Sequence, residues 1–123
     1  MKYLCLVYAD ERLLEGFDDR ECLAFDRGLR ERGQCLASEA LEPTHTATTV
    51  RVRDGKVAVT DGPFAETKEQ LAGFYMIEAR DLNEAIRIAA EIPPAAVGSI
   101  EVRPVRPIRE APRIPAGAPQ PQP

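Results

Sequence analysis

Lys2-Tyr3-Leu4-Cys5-Leu6-Val7-Tyr8 sets Tyr3, Cys5 and Val7 on one face of a strand and Leu4, Leu6 and Tyr8 on the other. Successive side chains of a strand point to opposite faces. A segment apolar on both therefore predicts a central strand covered on both sides. Leu71 to Ala79 repeats the pattern, with Phe74 and Met76 against Tyr75 and Ile77. Between the two, Asp18 followed three residues later by Glu21 resembles a capping box. Cys22, Phe25 and Leu29 then recur at helical spacing and Gly33 marks the stop, which predicts a helix over 18–32. A short strand is expected over 34–41. Residues 46–53 and 56–60 alternate, with Val50, Val52, Val57 and Val59 as the apolar set. Asp54-Gly55 between them is a two-residue hairpin signal, because both positions must tolerate positive φ. A second helix opens at Asp81 with Glu84 three residues on. It shows Leu82, Ala85, Ile86, Ala89 and Ile92 as one stripe and ends at Pro93-Pro94. A last strand follows, with Ile100 and Val102 inward and Ser99, Glu101 and Arg103 outward.

The order β-α-β-(hairpin)-β-α-β predicts an α+β fold, a ferredoxin-like split βαβ with an extra hairpin. Two helices cover only one face of such a sheet. The second apolar face then needs a cover, and a second copy of the chain, sheet against sheet, is the economical one. A homodimer is the expectation. Of eleven prolines, seven lie from Pro104 onward. A segment so rich in Pro, Gln, Ala and Gly has little to bury against its chain entropy. The folded unit is accordingly read as 1–106, with 107–123 a disordered Pro-rich tail.

Charge and composition narrow the partners. A net charge of −4 supplies no basic field for phosphate backbones or acidic membranes. Gly73-Phe74-Tyr75-Met76-Ile77 faintly resembles the aromatic strand of an RNA-recognition sheet. That module needs an open face with basic surroundings, so nucleic acid is not expected as a partner. No apolar run approaches the length of a membrane span. The basic-then-apolar start is short and ends at Asp10-Glu11-Arg12 without a small-residue cleavage site, so it reads as a strand and not a signal peptide. Cys5, Cys22 and Cys35 are an odd, widely spaced set, which suits reduced thiols and a cytoplasmic location. One His with scattered Cys supplies no metal-ligand spacing, and no phosphate-binding glycine loop suggests a cofactor.

Chemistry concentrates in Thr60-Asp61-Gly62-Pro63-Phe64-Ala65-Glu66-Thr67-Lys68-Glu69-Gln70. Read as a pocket lip, it offers Asp61 as acid, base or anion, with Glu66 and Glu69 as further carboxylates. Lys68 is then the counter-charge and Phe64 an apolar wall. Read structurally, Asp61 is a turn residue, Gly-Pro enforces the bend, and Pro63 suits the first turn of a short helix. Glu66, Lys68 and Glu69 are then a solvated face. His45, the only histidine, follows Pro43-Thr44 in a loop. It is a candidate general base beside Asp61, or polar surface, since no orienting partner is evident.

At this string, and at Ala47-Thr48-Thr49-Val50-Arg51 before it, the sequence resembles the DGPF-type members of the YCII-related domain family. The likeness runs from Met1-Lys2-Tyr3 through the string to Gly73-Phe74-Tyr75. It continues at Asp81-Leu82-Asn83-Glu84-Ala85 and Val102-Arg103-Pro104-Val105. It implies a ferredoxin-like fold in a dimeric α/β-barrel assembly and no settled activity. Some relatives are encoded beside extracytoplasmic-function sigma factors, which points to a regulatory or accessory role. Shorter members carry a proposed His–Asp pair, with His in the first helix and Asp after the second. Residues 18–32 hold no His here and Ala90-Glu91-Ile92-Pro93-Pro94-Ala95 no Asp, so that pair does not carry over.

Two functions follow as expectations. One is a small-molecule binding protein, with lyase- or hydrolase-like acid–base chemistry as a further option. Its pocket would sit near the dimer seam, lined by Tyr75, Phe64 and Asp61. The alternative is an accessory protein that binds another protein, such as a sigma factor. Pro104-Val105-Arg106-Pro107 and Arg109 to Arg113 would then dock as an extended ligand. Neither the ligand nor a reaction is legible in the sequence.

Overall fold

A computed structural model describes residues 1–109. Its core is a four-stranded antiparallel sheet built from β1 (Lys2–Ala9), β2 (Cys35–Ala40), β5 (Gln70–Glu78) and β6 (Ser99–Pro104), in the order β2-β5-β1-β6. Two strand–helix–strand units interleave to give this order, which is consistent with a ferredoxin-like split βαβ. The two strands apolar on both faces are the two central ones, as expected. Cys5 of β1 lies opposite Tyr75 of β5 on one side and Val102 of β6 on the other.

Among the described residues there are three α-helices, the two longer of which pack on one face of the sheet. The first, α1 (Glu11–Leu14), was not expected, since four residues show no periodicity; its N-cap is Asp10, whose side chain accepts from the Arg12 N–H. The second, α2 (Asp19–Glu31), begins where the sequence places it. Asp18 caps it by accepting from the Arg20 N–H, not from Glu21 as a capping box would have it. For α3 (Leu82–Ala90), Asp81 accepts from the Glu84 N–H. Its buried stripe is Ala85, Ile88 and Ala89, continued by Ile92, while Leu82 and Ile86 are each 49% exposed. Two overlapping apolar stripes fit this helix at 3.6-residue spacing, and contact with the sheet selects the one through Ile88. Between sheet and helices, Tyr3, Cys5, Val7, Leu29, Tyr75, Ile77 and Ile92 form the core, with Ile100 and Val102 packed against it as expected.

The opposite face of the sheet is uncovered in the single chain. Leu4, Leu6, Tyr8, Phe74 and Met76 are all partly exposed there. Apart from the sheet stands the hairpin of β3 (Thr48–Arg53) and β4 (Lys56–Asp61), which pairs with no other strand. Asp54 at φ 52° and Gly55 at φ 74° make its turn, as the Asp-Gly signal requires. Val50 faces Val59 and Val52 faces Val57 across the ladder. This places the four valines on one face, and all four remain exposed. β6 ends at Pro104, and Val105 to Arg109 have no regular structure. The tail reading for 107–123 falls largely outside the described residues.

Candidate functional site

The helical stripe that packs α2 onto the sheet, Cys22-Phe25-Leu29, has a polar edge. Asp26 and Arg30 lie four residues apart beside it and point toward β2. Register supplies the third member, because Ser38 of β2 sits opposite Tyr75 of β5 and so faces the helices. The Ser38 hydroxyl donates to Asp26 Oδ1 at 2.6 Å, and Arg30 Nε donates to Oδ2 at 2.7 Å. Arg30 Nη2 closes the loop on Ser38 Oγ at 3.2 Å, and the Cys35 thiol lies 3.5 Å from Asp26 Oδ1. Beside this network is a cleft of about 570 Å³. Leu14, Phe17, Leu23 and Leu41 supply apolar wall, and Asp26, Ser38 and Tyr75 converge on it. The Tyr75 ring stands edge-on to Phe25, with centroids 5.3 Å apart.

The electrostatics of the cleft favour holding a ligand over moving protons. Burial works to raise the Asp26 pKa, but hydrogen bonds from Ser38, Arg30 and Cys35 outweigh it and hold the carboxyl below its ordinary value. Asp26 is thus an anion at neutral pH and a weak base. Burial first, then the negative charge of nearby groups including Asp26, pushes the Tyr75 phenol up to about 12. It stays protonated, able to donate and to accept. Burial likewise raises the Cys22 and Cys35 thiols, which removes them as nucleophiles at neutral pH.

Of the site residues expected from sequence, only Tyr75 lines this cleft. His45 is exposed in a single 3₁₀ turn (Thr44–Thr46). Asp61 is exposed at the end of β4, opposite Thr48, and so belongs to a strand and not to a turn. No helix follows Pro63. Instead Gly62 makes the bend at φ 108°, and the Thr49 hydroxyl donates to its carbonyl at 2.9 Å. Phe64 is 79% exposed with the Arg51 guanidinium 5.7 Å from its ring centre. Glu66 and Lys68 are exposed, while the Glu69 carboxylate accepts from the Ser99 hydroxyl at 2.8 Å. Sequence reasoning missed Asp26, Arg30 and Ser38. The available signal was a charged pair at the margin of an apolar helical stripe.

Lys68 does bear on one carboxylate. Asp10, 7% exposed, takes Arg12 Nη2 at 2.8 Å and Nε at 3.2 Å, besides the Arg12 backbone N–H. The Arg12 side-chain bond chiefly, then that backbone bond, lowers the Asp10 pKa to about 2, with the Lys68 charge adding a little. A carboxyl depressed on folding contributes stability that is present above its unfolded value of about 3.9 and is lost as pH falls through about 2. Denaturant titrations of Asp10→Asn should therefore show a shallower loss of stability than the parent across this acid limb. Equal slopes would remove Asp10 from it.

A four-stranded antiparallel sheet with helices on one face and a cleft beside the longest helix defines a small α+β domain of the split βαβ kind. The chain belongs to the YCII-related domain family, whose model matches residues 1–109. An uncharacterised protein of Rhizobium meliloti (strain 1021) is 40% identical to it over 114 residues, covering 85% of this chain and 92% of the relative. Among the described residues, no helix is long and apolar enough to cross a membrane.

Proposed function

We propose that this protein is a DGPF-type member of its family that binds a small molecule in the cleft between α2 and the β2–β5 edge of the sheet. In this reading it acts as a cytoplasmic homodimer in a dimeric α/β-barrel assembly. The observation that carries the proposal is the convergence of Asp26, Ser38 and the Tyr75 hydroxyl on a largely apolar cleft of ligand size. Among the described residues that hydroxyl has no hydrogen-bond partner, and it is not sealed from solvent, which leaves it for a ligand. Sheet-to-sheet pairing covers the open face, which lies across the sheet from the cleft. Asp61, His45, Phe64, Glu66 and Lys68 are exposed in the single chain and stand outside the cleft lining, so the reading moves the site from them to the α2 side. The cleft carboxylate is held low and the phenol high, which suits binding better than acid–base chemistry.

A thermal-shift screen against a broad metabolite library tests the proposal. A ligand at about a hundred times its dissociation constant stabilises the folded state by about 2.7 kcal/mol. At least one hit is expected, and Tyr75→Phe should cut its shift while leaving the unliganded melting temperature within a few degrees. A flat screen, or hits indifferent to Tyr75→Phe, would contradict the site. The second reading, an accessory protein that docks on a partner such as a sigma factor, draws on the exposed valine face of the hairpin. Partner capture that survives Val50→Thr/Val59→Thr would remove that face from it.

A further inference from the structure

We propose that the cleft selects an organic cation, an amine or ammonium head on a small apolar body. The inference rests on the small-molecule reading above and adds the chemical class of the ligand. Asp19, Asp26 and Glu39 line the cleft against a single cation, Arg30. Arg30 is already committed, with Nε on Asp26 and Nη2 on Ser38. The Asp26–Arg30 pair is neutral as a unit. Asp19, at the start of α2, is exposed at the rim and unmatched by a cation of the cleft lining, while Glu39, next to Ser38 and opposite Phe74, is set on the other face of the edge strand and adds its charge across it. The field inside an apolar-walled cleft follows the sign of such unmatched groups. An anionic head entering here meets the free Asp19 carboxylate, the charge of Glu39 across the edge strand, and a guanidinium whose best donors are in use.

The walls favour the same class. Phe17 and Tyr75 present aromatic surface to the cleft, and an alkylammonium is attracted to an aromatic face, more strongly where water is excluded. The Tyr75 phenolic oxygen accepts from an N–H as readily as its proton donates. Asp26 has two oxygens and about four acceptor positions. Ser38, Arg30 and Cys35 occupy three of them. One acceptor position is left at the polar end of the cleft for an incoming ammonium proton, while the apolar body lies along Leu14 and Leu41.

Benzylamine, benzyl alcohol and benzoate share one ring and differ in head charge, so they separate the class of ligand from the existence of the site. Each is titrated into the full-length protein at neutral pH and low salt, with backbone amide resonances followed by NMR. Concentrations reach about 10 mM, above the millimolar dissociation constants that fragments of this size show. Benzylamine should move the amides of Ser38, Glu39 and Tyr75 and bind at least about fivefold more tightly than benzoate. Its affinity should fall in roughly 0.5 M NaCl, where the Debye length is under about 5 Å. Asp19→Asn/Glu39→Gln leaves the Asp26 hydrogen bonds in place. It should weaken benzylamine about threefold and leave benzyl alcohol within about twofold, as expected for exposed charges. Benzoate binding in the cleft as tightly as benzylamine, or a double variant without effect on benzylamine, would overturn the cationic class and leave the cleft standing as a site. If none of the three moves the cleft amides, the site and the inference both fall.

Discussion

Ile77→Ala should lower the unfolding free energy by about 2–5 kcal/mol. Ile77 is fully buried at the centre of the core, opposite Tyr3 of β1 and Cys35 of β2. Removing its side chain loses transfer free energy and leaves a cavity that strands on both sides prevent from collapsing. A domain of this size has roughly 5–15 kcal/mol of stability in all. The melting temperature should accordingly fall by about 10 °C or more. Ile86→Ala is the matched control, since it deletes the same atoms from a side chain that is 49% exposed. Its cost should be under about 1 kcal/mol. Equal losses in the two variants would mean that α3 turns its other stripe to the sheet.

Met76→Asp addresses the uncovered face. Met76 lies opposite Leu4 of β1 and Ala37 of β2, near the middle of the apolar surface that carries Leu6, Tyr8 and Phe74. In the proposed dimer this position is desolvated, and an unpaired carboxylate there costs several kcal/mol. Self-association should weaken by at least about a hundredfold. The isolated domain should stay folded, because the substituted side chain faces away from the core. Sedimentation equilibrium of parent and variant, with circular dichroism as the check on folding, reads this directly. A parent that is monomeric at micromolar concentration, or a variant that remains dimeric, would remove the sheet face as the seam.

How much of this was legible in the sequence depended on whether a signal was local or relational. The runs at Lys2–Tyr8 and Leu71–Ala79 marked the central strands, because an element apolar on both faces has few other homes. Asp54-Gly55 marked its hairpin because the turn chemistry is contained in two residues. In α3 the apolar residues fit two stripes, and only contact with the sheet excludes Leu82 and Ile86 from the core. Helix α1 is too short to show a period. At the site the miss was larger. Asp26 and Arg30 drew no reading from sequence, because an i,i+4 charge pair on a helix is most often solvated surface. Their meaning depends on Ser38, twelve residues beyond Asp26, and on the register that turns Ser38 toward the helix. The string from Asp61 to Gln70 attracted attention for its density of charge. Charge alone does not make a cleft, and in the single chain these side chains are largely exposed.

The central claim is that small molecules bind beside Asp26, Ser38 and Tyr75, under α2. The most direct test is a crystal structure of the protein with the strongest hit of the thermal-shift screen. The account predicts ligand density in the cleft, within hydrogen-bonding distance of the Tyr75 hydroxyl, with the Asp26–Ser38–Arg30 network intact around it. Density against Asp61 and Phe64 with an empty cleft would contradict it and return the site to the hairpin side of the molecule.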